Sequence, residues 1–238
     1  MNSTQSGTLI ENQLLAALSA ESYNRLKPHL VPVSFQSGDI LYQPHQLIEW
    51  VYFPHQAVVS LVNILEDGAQ IEIGIVGSEG MVGTPIIMAS DISPYLTIVQ
   101  VPDGAQRMSA NVLTEELGLS SELHRLLLRY MQALIAQISQ TATCNRYHTI
   151  EERLARWLLQ TQDRMKKDRL DLTQEFISIM LGSRRAGVNI AAGVLQRAGL
   201  INYKRGRIEV LDRQGLEEAS CECYEVVRKE YVRLLGGI

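Results

Sequence analysis

An α+β fold in three parts is expected for this chain: an N-terminal β jelly roll, one long helix and a C-terminal winged helix-turn-helix. Three observations carry that expectation. Short apolar runs punctuated by Gly, Pro and Asp fill the stretch from Val31 to about Ser109. A helical pattern then runs from about Ser120 to Arg146. Residues 171–210 finally read as helix, short turn, helix and hairpin. The boundaries that follow are 1–119 for the β domain, 120–147 for the long helix and 148–238 for the winged helix.

In chain order, residues 11–20 and 22–29 are expected to form two short helices. Strands are expected over 31–35, 40–42, 50–54, 57–64, 70–76 and 97–102. Asp67-Gly68 lies between two of these apolar runs and is a strong hairpin signal, because both residue types tolerate the left-handed backbone of a tight turn. Ser120 or Ser121 caps the long helix. One apolar stripe on it is Leu123, Leu127, Tyr130, Leu134, Ile138 and Thr141, and a second is Leu128, Met131, Ile135 and Ala142. Two stripes call for two burial partners. The β domain is one. The other is the same helix of a second subunit, so a homodimer is expected, with its contact assigned to the first stripe, Leu123 to Thr141. A single wide stripe buried within one subunit is the alternative. Residues 149–167 make another amphipathic helix with Leu154, Trp157, Leu158, Thr161 and Met165 inward, and residues 215–235 a final one.

The winged-helix segment is the most informative. Thr173 is a good N-cap, Glu175 complements the helix dipole, and Phe176, Ile177 and Met180 recur at helical spacing. Leu181-Gly182-Ser183 breaks that helix, and Ser183 is expected to cap the next. Val188, Ala191, Ala192 and Leu195 share its inner face, and Gly199 stands where a C-terminal glycine belongs. The opposite face holds Ala186, Ile190, Gly193 and Arg197, flanked by Arg185 and Asn189. Arg and Asn suit bidentate reading of guanine and adenine, and an apolar Ile190 suits a thymine methyl. The hairpin tip is basic, with Lys204, Arg205 and Arg207.

The net charge of −4 divides unevenly: 6 basic and 13 acidic residues in 1–149, against 16 and 13 in 150–238. The basic half is the helix-turn-helix half, as contact with phosphate requires. No apolar run is long enough to span a membrane, and the N-terminus has no basic, apolar leader pattern, so a cytoplasmic protein is expected. Cys144, Cys221 and Cys223 lack zinc or iron–sulfur spacing, and the last two are expected on different helix faces; no metal site and no cofactor are expected.

A β domain, a long helix and this winged helix in one order resemble the cyclic-AMP receptor/Fnr family of bacterial transcription regulators. The resemblance covers about Leu14 to Val210 and is most specific in Leu172-Thr173-Gln174-Glu175 and from Gly182-Ser183-Arg184-Arg185 to Leu200-Ile201. It implies a cyclic-nucleotide-binding-like β domain, a homodimer that binds a palindromic operator in double-stranded DNA, RNA polymerase as a further partner, and no catalytic residues. The DNA-facing positions it implies are Thr173, Gln174, Ser183, Arg184, Arg185, Ala186, Asn189, Ile190, Lys204 and Arg205. Ala186 and Ile190 stand where the catabolite-activator branch has a glutamate and a second arginine, so a different operator is expected.

The family's ligand pocket maps onto Gly83, Thr84 and Tyr95 here, for an effector the sequence does not identify. Gly83-Thr84-Pro85 and Ser93-Pro94-Tyr95 supply neither the glutamate nor the arginine that grips a cyclic nucleotide, so cyclic AMP is not expected to bind. No cysteine precedes Cys144, which argues against the family's iron–sulfur branch. Two other readings remain: a cupin-like metalloenzyme using His45, Glu49 and His55, and a dimer whose winged helix binds protein.

Overall fold

A computed structural model of the protein describes residues 10–165 and 169–236. Two short helices open it, α1 (Gln13–Ala16), capped by Asn12, and α2 (Ala20–Leu26), capped by Ser19. Asn12 is buried, and its amide donates to the Pro54 and Gly80 carbonyls at 3.0 and 2.9 Å. The cap therefore also fastens the N-terminal segment to the β domain.

Seven strands follow: β1 (Val31–Ser34), β2 (Ile40–Tyr42), β3 (Trp50–Pro54), β4 (Val58–Ile64), β5 (Gln70–Val76), β6 (Leu96–Val101) and β7 (Gly104–Ser109). They form two antiparallel sheets, ordered β1-β7-β3 and β2-β6-β4-β5. The sequence pattern does not predict β7 or the helix after it, α3 (Ala110–Leu119). β7 has little apolar alternation, and its pairing with β1 and β3 is long-range. Phe35, Val51, Phe53, Val59, Leu61, Val99 and Met108 fill the space between the sheets.

The expected alternation takes an unusual form in β4. Val59 and Leu61 face the interior of the β domain, while Val58 and Val62 belong to a second core made with the C-terminal half. β4 is thus buried on both faces, which is why its apolar run is nearly continuous.

The long helix α4 (Ser121–Tyr147) starts where expected, with the Ser120 hydroxyl accepting from the Leu123 N–H at 3.2 Å. Its stripe Leu123, Leu127, Tyr130, Leu134 and Thr141 is buried within the subunit, with Ile138 packed on the same core. The assignment of that stripe to a subunit contact is corrected: the β domain and the C-terminal helix α9 (Cys223–Leu235) already cover it. Leu128 and Ile135, 48% and 54% exposed, lie with Ala142 on the open face.

Next comes α5 (Ile150–Met165), begun by a reciprocal pair in which Thr149 Oγ1 accepts from the Glu152 N–H and the Glu152 carboxylate accepts from the Thr149 N–H. The expected extension to Lys167 lies outside the described residues. β8 (Arg169–Asp171), α6 (Gln174–Met180), α7 (Arg185–Arg197), β9 (Ile201–Lys204) and β10 (Arg207–Val210) make the winged helix, its sheet ordered β8-β10-β9. α8 (Arg213–Ala219) and α9 complete the chain. The single helix expected over 215–235 is two, broken at Ser220-Cys221, where the Ser220 hydroxyl bonds back to the Glu217 carbonyl and the backbone turns extended.

α5 holds the two halves together. It packs on α7 and α8 and on the outer face of the four-stranded sheet. Trp157, 1% exposed, donates from Nε1 to Glu72 Oε1 at 2.9 Å. Ser60, Gln100 and Thr161 continue this buried polar seam at 3.0 and 3.2 Å. Burial pushes the Glu72 carboxyl up to about 7, against lowering contributions from Ser60, Arg156, Trp157 and Arg164. Among the described residues, no helix is long and apolar enough to cross a membrane.

Candidate nucleic-acid interface

The site is built on α6, α7 and the β9–β10 hairpin. Thr173 caps α6, its Oγ1 accepting from the Phe176 N–H at 3.1 Å. Gly182 makes the turn, at φ +54°, and the Ser183 N–H closes it onto the Ser178 carbonyl at 2.9 Å. Because Ser183 serves the turn, α7 begins later than expected: Arg184 is its N-cap and makes no side-chain cap bond. Val188, Ala191, Ala192 and Leu195 are buried, as their spacing predicts. Gly199 follows at φ +77°.

The outer face of α7 is open. Arg184, Arg185, Ala186, Asn189, Ile190 and Arg197 are exposed, Ile190 by 64%. Asn189 Oδ1 accepts from Gln174 Nε2 at 3.0 Å, so these two side chains orient one another. Arg185 lies 3.8 Å from Glu175, but both are well exposed and such a pair holds an arginine only weakly. The hairpin turns through Arg205 and Gly206 at φ +53° and +78°, the two consecutive left-handed residues of a tight hairpin turn, and this leaves Lys204 and Arg205 at its exposed tip. Thr173, Gln174, Arg185 and Arg205 line one shallow groove.

Of the expected positions, Thr173, Gln174, Arg185 and Arg205 share this groove, Lys204 lies along the small sheet with Arg169 and Arg207, and Ser183 and Arg184 lie beside Ile71 of the β4–β5 hairpin; Gln174 and Ser183 are partly covered and the others exposed. Tyr203 and Gly206, also in the groove, were missed: Tyr203 reads as a strand residue, and nothing local shows that its ring reaches the start of α6, where its hydroxyl lies 3.4 Å from the Leu172 carbonyl. Arg169 and Arg207 extend the positive edge along the small sheet, Arg169 paired with the half-buried Glu209 and Arg207 with the exposed Asp171.

The β domain touches this unit directly. A Cβ on Gly182 would lie 2.5 Å from Ile71 Cδ1, so the β4–β5 hairpin sits against the turn between α6 and α7. Arg153 on α5 donates to the Leu181 carbonyl in the same turn.

The expected ligand residues also come together. Gly83 is left-handed at φ +99°, and Thr84 Oγ1 lies 3.1 Å from the Tyr95 hydroxyl. The space beside them is occupied by protein: a Cβ on Gly83 would meet Tyr42 and Val51 at 2.9 Å, and Tyr130 of α4 donates to the Met81 carbonyl at 3.1 Å. A cleft of about 1000 Å³ opens nearby between the Thr84–Met88 turn and α3, and none of the described residues lining it is Lys or Arg.

The cysteines depart from expectation. Cys144, Cys221 and Cys223 are buried together with His148 beside them. Cys221 precedes α9 rather than lying on it, so Cys221 and Cys223 do not take opposite helix faces. His45, Glu49 and His55 form no comparable group among the described residues.

Residues 152–219 match the Crp-like helix-turn-helix domain. No curated protein matches the chain. Among solved structures, FixK2 from Bradyrhizobium japonicum is similar, with 16% identity over 81% of this chain and 98% of that one at a TM-score of 0.66. A Crp/Fnr-family transcriptional regulator from Thermus thermophilus is 21% identical over 80% and 98%, at 0.65. The c-di-GMP-responsive global regulator Clp of Xanthomonas campestris is 15% identical over 81% and 99%, also at 0.65. Residues 152–219 are therefore similar to the Crp-like helix-turn-helix domain, and about four fifths of the chain shares the fold of these solved structures.

Proposed function

We propose that this protein is a homodimeric, sequence-specific DNA-binding regulator of transcription and not an enzyme. The observation that carries the reading is the outer face of α7, where Arg185, Ala186, Asn189 and Ile190 stand clear of the fold beside a basic hairpin tip. Arg185 lies in the first turn of α7, where side chains of a recognition helix reach base edges. Lys204 and Arg205 sit where a wing meets phosphate. Thr173 and Gln174 do the same from the start of α6.

The dimer forms through Leu128, Ile135 and Ala142, the apolar face of α4 left open in one subunit. A two-fold pair of α7 helices reads an inverted repeat with half-sites about one helical turn apart. A signal in the β domain reaches the reader through two contacts: Ile71 against the Gly182 turn, and the sheet face on which α5 lies.

Selection of bound sequences from a random duplex pool tests the reading. An inverted repeat is expected, and Arg185→Ala is expected to lower the operator-to-scrambled affinity ratio by roughly 5- to 150-fold, or about 1–3 kcal/mol. An unchanged ratio removes α7 as the reader. A wild type that sediments as a monomer at micromolar concentration removes the dimer.

A further inference from the structure

We propose that Cys144, His148, Cys221 and Cys223 bind one zinc ion, which ties α9 to the end of α4 beside the joint with α5. Four donor atoms of the types zinc prefers lie within 4.8 Å of one another. Two of the edges between them come within about 0.3 Å of those around one small tetrahedral ion: Cys144 Sγ to Cys221 Sγ is 3.5 Å, and Cys223 Sγ to His148 Nδ1 is 3.4 Å. Zinc–sulfur bonds of about 2.3 Å and zinc–nitrogen bonds of about 2.0 Å require tetrahedral edges of roughly 3.8 and 3.6 Å. A cluster of several irons holds its ligands further apart. Three thiolates and an imidazole in a tetrahedron favour zinc over the harder divalent ions.

The surroundings are those of a metal site. His148 turns Nδ1 toward the sulfurs and gives Nε2 to the Glu222 carboxylate at 3.2 Å, the outer partner that fixes the ring of a liganding histidine. Gln140 Nε2 donates to Cys223 Sγ at 3.1 Å, as a thiolate would accept. Zinc with three thiolates carries one net negative charge, and the positive charges of Arg153 and Arg156 act on Cys144 from the first turns of α5. The three cysteines are buried and His148 is nearly so, with 14% of its side chain exposed, so the ion would be shielded from water.

Local structure explains how the ligands meet. Cys144 and His148 are four residues apart at the end of α4, one turn along the same face, and His148 is its C-cap. Cys221 and Cys223 flank Glu222, the N-cap of α9, where the chain reverses out of α8. The ion therefore crosslinks residues that are 77 apart in sequence at Cys144 and Cys221. It would fix the C-terminal helix against α4 next to His148-Thr149, the link between α4 and α5.

The test uses the full-length, untagged chain purified under reducing conditions. Elemental analysis is expected to find about one zinc per chain, either as purified or after reconstitution with zinc chloride. Cobalt substitution of the wild type is expected to give the intense visible bands of tetrahedral cobalt–thiolate coordination. Cys223→Ser and His148→Ala are expected to bind zinc at least about tenfold more weakly. Chelation is expected to lower the melting temperature of the wild type and not of Cys223→Ser, because an ion that binds only the folded state stabilises it. Zinc below about a tenth of an equivalent after reconstitution, absence of the cobalt–thiolate bands, or a Cys144–Cys221 disulfide under those reducing conditions overturns the proposal. The cobalt spectrum needs no variant, so it decides even if a substituted chain fails to fold.

Discussion

Helices α5 and α7 both carry arginines, and they use them in opposite ways. On α7, Arg185 and Arg197 are exposed. On α5, Arg153, Arg156 and Arg164 are 8%, 4% and 7% exposed, and each is spent on an internal partner: the Leu181 carbonyl, Gln160 and Glu79. The difference lies in how many faces of each helix the fold covers. α7 is covered on one face, by α5 and α6, whereas α5 has the sheet on one side and α7 and α8 on others. A cation is available to a nucleic acid only where the fold leaves its side of the helix uncovered, and it acts as an internal fastener where the fold closes over it.

The largest expected effect breaks the enclosed helix. Trp157→Ala is expected to cost about 3–5 kcal/mol of folding stability in urea denaturation, because it empties a large buried site. It also removes the donor to the buried Glu72 carboxylate. By the same measurement Ile190→Ala on the open face of α7 is expected to change stability by less than about 0.5 kcal/mol. Equal effects would show that the two helices are not differently enclosed.

Glu72 sharpens the contrast through pH. Its folded pKa is raised from 4.5 to about 7, so the folded state holds the proton more tightly than the unfolded one. The associated stability is present in full below about pH 4.5 and is lost as pH rises through 7. The loss at high pH is roughly 3 kcal/mol at ~1.4 kcal/mol per pKa unit. Glu72→Gln is therefore expected to be more stable than wild type at pH 8, with the gap closing toward pH 4.5. Urea titrations at the two pH values measure it, and a gap of constant size would place the Glu72 carboxyl outside the buried seam.

The smallest expected effect is on the wing. Lys204→Ala is expected to leave stability unchanged, to weaken binding to all duplexes alike, and to reduce the slope of log affinity against log salt by about one. Binding titrations at several salt concentrations read it directly. A loss confined to one sequence would move Lys204 from phosphate to a base.

Most of the secondary structure was legible because it follows local pattern. The bounds of β2, β3 and β5 coincide with the expected strands. The inner and outer faces of α7 follow from a period of 3.6 residues, and the open face holds the Arg185, Ala186, Asn189 and Ile190 side chains as the pattern requires. β7 and Tyr203 were less legible, since β7 is defined by pairing with distant strands and Tyr203 by a contact across the winged helix.

Residue order is enough to establish that α4 has two apolar stripes, that α7 has an outward polar face, and that the basic residues gather in the C-terminal half. Packing settles which stripe of α4 is covered: α9 and the β domain take Leu123 through Thr141, and Leu128 and Ile135 remain open. Packing likewise brings Glu72 to Trp157 and Cys144 to Cys221, pairs 85 and 77 residues apart. Periodicity reports that a helix has a face because neighbours three and four residues apart share it. What covers that face depends on where distant segments pack, and no local spacing in the chain encodes it.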